Sequence, residues 1–160
     1  MASFNKTVHN FKTFDDISSI VEAVIGDFPH LDAAELAITE LMLNAVEHGN
    51  LNISFEEKSE LLKNGAIFDE IERRLGEEKY RNRTARIEVR ELGDETQVTI
   101  NDDGEGFSWT DYLNENRLWS KSPHGRGMML AKQFCKKLTY VGNGNRVVAV
   151  FDSRLSLATD

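Results

Sequence analysis

At 160 residues and 40% apolar content, the chain fits one globular domain, which at this size buries roughly 70% of the surface its unfolded form exposes. A net charge of -8, from 27 acidic and 19 basic residues, argues against bulk binding to nucleic acid or an anionic membrane and leaves room for a face that meets a basic partner. The lone cysteine, Cys135, excludes an intrachain disulfide and reads as a small buried hydrophobe, and no apolar run approaches the roughly 18 residues of a membrane span. With no signal peptide at its start, the chain is expected to be cytoplasmic, either free-standing or cut from a larger protein.

In chain order, "SFNKTVHNF" alternates as an opening strand. Residues 14–27 space Phe14, Ile17, Ile20, Val21, Val24 and Ile25 as one face of a helix. "FPHLD" breaks it. Asp32 then has the pattern of an N-cap, with Glu35 as its capping-box partner, and the second helix is expected to run to about His48 and stop at Gly49-Asn50. Residues 51–82 are charged and mostly helical, broken at Gly65 and Gly76. Their Leu61, Leu62, Ile67, Phe68, Ile71 and Leu75 can cover a neighbouring apolar surface. "RTARIEVREL" and "ETQVTIND" form a hairpin around "LGDE", and "DDGEGF" is a loop. A long aperiodic loop, a helix over "MMLAKQFCKKL" and a closing hairpin around 142–145 complete the chain. This order predicts an α+β fold. The form expected is a two-layer α/β sandwich with a mixed, mostly antiparallel sheet and helices on one face.

Three motifs carry the chemistry. In "ELMLNAVEHGN", Glu40, Asn44 and His48 stand four residues apart on an otherwise apolar helix. That spacing forms one stripe, and an unpartnered buried carboxylate or amide costs several kcal/mol, so the stripe faces either solvent or a ligand. In "NDDGEGF", Asp102 ends a strand, and Gly104 and Gly106 let backbone approach a ligand, although Asp-Gly is also the commonest turn pair. A calcium loop fails because Tyr112 falls where the bidentate Glu must stand. In "HGRGMMLAK", Gly125 and Gly127 lead into a helix whose free N–H groups can hold phosphate. The pattern is neither a Rossmann fingerprint nor a Walker loop. The four scattered histidines and single cysteine exclude structural zinc, and no nucleophile elbow occurs.

The order E-x-x-x-N-A-x-x-H-G, then D-x-G-x-G after a strand, then G-x-G before a helix, resembles the GHKL ATPases, whose fold is the Bergerat type. Within them the chain looks most like the bacterial anti-sigma-factor serine/threonine kinases. The resemblance spans nearly the whole chain as a single domain, with 51–82 as an insert and 107–124 as the ATP lid. It implies ATP and Mg2+ as cofactors. Glu40 would be the general base and Asn44 the Mg2+ ligand. Asp102 would take the adenine amine, with Gly104 and Gly106 beside the base. Gly125, Arg126 and Gly127 would form the phosphate loop, with Lys121, His124 or Arg126 as the phosphate contact. His48 is assigned to structure rather than catalysis. The implied partners are an antagonist protein and a sigma factor or similar regulator, with a homodimer following from resemblance alone. Two other readings stay open. One is a nucleotide-binding module without turnover, from a fusion to a receiver or metal-dependent phosphatase domain. The other is a histidine-kinase catalytic domain, which Glu40 disfavours. The family usually has a short link where this chain has about 30 extra residues, and these either cover a sigma-binding surface or create a different one.

Overall fold

Thr13 fixes where the first helix begins. Its hydroxyl accepts from the Asp16 backbone N–H at 3.2 Å, and the Asp16 carboxylate accepts in return from the backbone N–H groups of Lys12 and Thr13 at 2.9 and 3.1 Å. These bonds, that from Lys12 foremost, hold the Asp16 carboxyl below its ordinary pKa. In the computed structural model, which describes residues 5–105 and 134–153, α1 then runs Phe14–Asp27, the range its apolar spacing predicts. Strand β1 (Lys6–Phe11) precedes it.

The second helix departs from expectation at both ends. Pro29–Ala34 forms a 3-10 turn, and α2 (Glu35–Asn44) follows with Ala34 at the cap position and no side-chain cap. Asp32 therefore lies inside helical backbone, and the Asp32–Glu35 capping box does not form. Pro29 is the physical reason: its fixed φ starts a tight turn early, so the chain enters α2 already coiled. At the other end the last turn widens into π geometry over Ala45–Asn50. Gly49 is not among the glycines with positive φ, so it is not a left-handed helix stop. The wider turn also breaks the expected stripe. Glu40 is half-buried on α2, whereas His48 is buried against the Phe55 ring, centroids 3.8 Å apart, with Nδ1 bonded to the Ile53 carbonyl oxygen.

The insert forms α3 (Phe55–Lys63) and α4 (Ile67–Leu75), joined at Gly65 with φ +66°. Ile67 and Ile71 are buried and Leu61 and Leu75 pack beside them, while Leu62 and Phe68 stay exposed. Arg74 donates to the Leu51 and Asn52 carbonyl oxygens at 2.9 and 3.2 Å and pairs with Glu57 and Glu70. Arg83 donates to the Asn50 carbonyl oxygen at 2.8 Å. Two guanidinium groups thus cap three consecutive carbonyls at the end of the π turn and just past it.

The sheet adds β2 (Ala85–Leu92), β3 (Glu95–Asp102), β4 (Lys137–Val141) and β5 (Arg146–Asp152) in the order β1-β2-β3-β5-β4. Every pairing among the described residues is antiparallel. Gly93 turns the β2–β3 hairpin, and Gly142 and Gly144 turn β4–β5, all with positive φ. Ile87, Val89, Val98, Ile100, Ala149 and Phe151 join Val24, Leu31, Ile38 and Leu41 in one core, which makes the expected two-layer sandwich. The loop over 107–124 and most of the helix expected after it lie outside the described residues.

Candidate functional site

Asn44 ends α2 and Asp102 ends β3. Sequence places them far apart, and the fold brings both into the lining of one cavity of about 10 Å3, about a single water's worth of room. Leu41 and Ala45 line it from the helix layer. Ile100, Tyr140, Asn145 and Arg146 line it from the sheet. Asn44 is 5% exposed, and its Nδ2 has no hydrogen-bond partner among the described residues. A buried amide left open forfeits about 1–3 kcal/mol, so an open amide at a cavity wall is the mark of a group that meets something bound.

Burial pushes the Asp102 carboxyl up to about 7, with the neighbouring Asp103 adding to it. The Gly104 N–H, which donates to Asp102 Oδ1 at 2.8 Å, and the Arg83 guanidinium pull the other way. Two glycines make this placement fit. A Cβ on Gly49 would overlap the Asp102 carboxyl, and a Cβ on Gly104 would overlap the Gly49 carbonyl. The π turn and the Asp-x-Gly loop therefore touch backbone to backbone. Further bonds tie the loop down: the Asp103 N–H donates to Asn50 Oδ1, and the Thr84 N–H donates to Asp103 Oδ2, both at 2.8 Å.

A family model described as a histidine kinase-like ATPase domain matches residues 15–151. The chain belongs to this family. None of the curated proteins matches it. As a histidine kinase-like ATPase domain, it is an ATP-binding domain, and the cavity shared by Asn44 and Asp102 lies between its helix layer and the ends of its strands.

Of the site residues expected from the sequence, Asn44 and Asp102 meet. Glu40 sits one turn before Asn44 on α2 but does not line the cavity. Gly104 is set against Gly49, so packing alone already requires it to be glycine. Gly106, Lys121, His124, Gly125, Arg126 and Gly127 lie outside the described residues. Sequence reasoning missed Tyr140, Asn145 and Arg146, although the closing hairpin was in view. It also missed Glu47 and Lys58. These two are 3% and 8% exposed and pair at 2.6 Å, joining the π turn after α2 to the insert. Burial raises the Glu47 pKa, Lys58 draws it back, and Glu40 pushes it further up.

Among the described residues no group of three His, Cys, Asp or Glu side chains could hold a metal ion by itself. The residues present fit an ion carried in by a nucleotide. Mg2+ keeps several waters and phosphate oxygens and needs few protein ligands; Asn44 carries a neutral amide oxygen at the cavity wall, while its unpartnered Nδ2 is a donor suited to a phosphate oxygen or a water. No helix among the described residues is long and apolar enough to cross a membrane.

Proposed function

We propose that this domain is an ATP- and Mg2+-dependent serine/threonine protein kinase of the anti-sigma type. It phosphorylates an antagonist protein and binds a sigma factor or similar regulator in the cytoplasm, and it acts as one domain, without nucleic acid or membrane and with a homodimer as its assembly. One observation carries the reading: Asn44 and Asp102 line a single cavity, and Glu40 stands one helical turn from Asn44. ATP would supply the γ-phosphoryl group, and Mg2+ would neutralise charge on its phosphates. Asn44 offers its amide oxygen to that ion. Asp102 accepts from the exocyclic amine of adenine, and Glu40 takes the proton from the acceptor hydroxyl. Gly106, Gly125, Arg126, Gly127, Lys121 and His124 belong to this proposal as the remaining nucleotide contacts.

A second reading, a nucleotide-binding interaction module without turnover, draws on Glu40 lying outside the cavity lining. Glu40→Gln separates the two. The kinase reading expects this variant to bind Mg-ATP as the parent does and to lose phosphoryl transfer by at least about a hundredfold. Equal transfer by both proteins would remove Glu40 as the base.

A further inference from the structure

The surface built by α1 and α2 carries acidic side chains and no basic ones. No Lys or Arg stands between Lys12 and Lys58, while Asp and Glu recur throughout. Within this stretch α1, the 3-10 turn and α2 enclose an open groove of about 780 Å3. Val21, Ile25 and Leu36 give it an apolar lining, and Glu22, Asp32 and Glu35 stand around them. These three carboxylates are exposed and have no partner among the described residues, and Leu36 is 58% exposed. A single exposed leucine means little. An exposed leucine in a groove with two further aliphatic side chains, whose charged lining residues are all acidic, is a surface with a defined complement.

We propose that this groove docks a basic amphipathic helix of a partner protein. Apolar side chains at i, i+3/i+4 and i+7 would pack between Ile25 and Leu36 above the buried Val21, and flanking Lys or Arg would meet Glu22, Asp32 and Glu35. The sign of the charge excludes phosphate-rich occupants, both nucleic acid and anionic lipid. It also disfavours a second copy of this chain. The copy carries the same negative charge, and its helical arginines Arg73 and Arg74 are already paired with Glu57, Glu70 and Glu77. The groove has a direction as well. Leu36 and Glu40 stand at i and i+4 on α2, so a docked helix lies one turn from Glu40. The value of that proximity rests on the phosphotransfer reading; the docking itself does not.

The test uses the whole chain and a fluorescent helical peptide of about 18 residues, five turns, with Leu at three-four spacing and Lys elsewhere, beside a counterpart with Glu in place of Lys. Anisotropy should show binding of the Lys peptide alone, weakening about tenfold between low and physiological salt. Glu22→Lys with Glu35→Lys should weaken it at least about tenfold, and Leu36→Ser about threefold. Glu72→Lys with Glu78→Lys, an equal charge change on exposed positions of the insert, should change it less than about twofold. Equal loss from both charge pairs would reduce the effect to the general field of an acidic protein and overturn the proposal. So would binding indifferent to Leu36→Ser, or no binding. Mg-ATP titration of the same samples keeps the two readings apart: peptide docking without ATP binding sinks the kinase and leaves the groove standing.

Discussion

Lys58→Met should show how firmly the insert is joined to the π turn after α2. Methionine keeps the length and apolar stem of lysine, so the variant removes the charge with little loss of packing. Glu47 then lies 3% exposed with its ion-pair partner gone. It will not stay ionised there. Holding protonated at pH 7 a carboxyl whose ordinary pKa is 4.5 costs about 3 kcal/mol, at about 1.4 kcal/mol per pH unit. That lies at the lower end of the 3–5 kcal/mol seen when one member of a buried pair is removed, and it is a large share of a domain's roughly 5–15 kcal/mol. The sign follows from the direction of the shift. A carboxyl whose folded pKa is raised binds protons more tightly when folded, so its contribution is fully present below pH 4.5 and is lost as pH rises. Urea denaturation at pH 5, 6 and 7 should therefore find the variant closest to the parent at pH 5 and progressively weaker above it. Adding Glu47→Gln should flatten that slope. A loss under about 1 kcal/mol at pH 7, or one independent of pH, would show that the pair is not the buried contact described here.

Gly49→Ala drives a methyl into the Asp102 carboxyl. It should cost about 1–3 kcal/mol in thermal unfolding and weaken ATP binding together with it, whereas unchanged values for both would remove the close approach of the two backbones. Asp102, raised to about 7, stabilises the fold most below its ordinary 3.8 and loses that contribution as pH rises through 7, and Asp102→Asn should abolish this slope in denaturation curves. The same titration should make ATP affinity fall as pH drops below 7 in the parent alone, and the variant should lose its preference for ATP over GTP. Asn44→Ala should weaken Mg-ATP binding about tenfold or more while leaving Mg-free nucleotide little changed, which calorimetry with and without Mg2+ would read.

The strands and α1 were legible because their apolar spacing matches the burial pattern that the sheet and helix layers impose. Asn44 drew notice because an amide on an apolar helix needs a reason, and Asp102 because it ends a strand ahead of glycines at alternate positions; the fold places both on one cavity. The end of α2 was not. Nothing in "AVEHGN" announces a π turn, and the close approach of Gly49 to the Asp102 loop is a contact between segments that no local sequence preference encodes. Glu47 and Lys58 were hidden for a related reason. On a charged stretch a lysine looks solvated, and only the docking of α3 on the π turn takes both charges out of water. Gly104 was read as a ligand contact, and its nearest constraint proved to be the Gly49 carbonyl.

The pairing of β1 with β2 has a consequence for synthesis. Phe11 lies opposite Ala85, so β1 leaves the ribosome long before the strand it needs. At about 5–20 residues per second the wait is roughly 4–15 s, during which α1, α2 and the insert have all emerged. The helical layer can therefore collapse first and offer Val21, Val24 and Leu41 as a platform, with the sheet closing over it in a late, non-local step. Until that step β1 is an unpaired edge with Phe11 uncovered. A chain stalled before Ala85 is the form of this protein most exposed to aggregation.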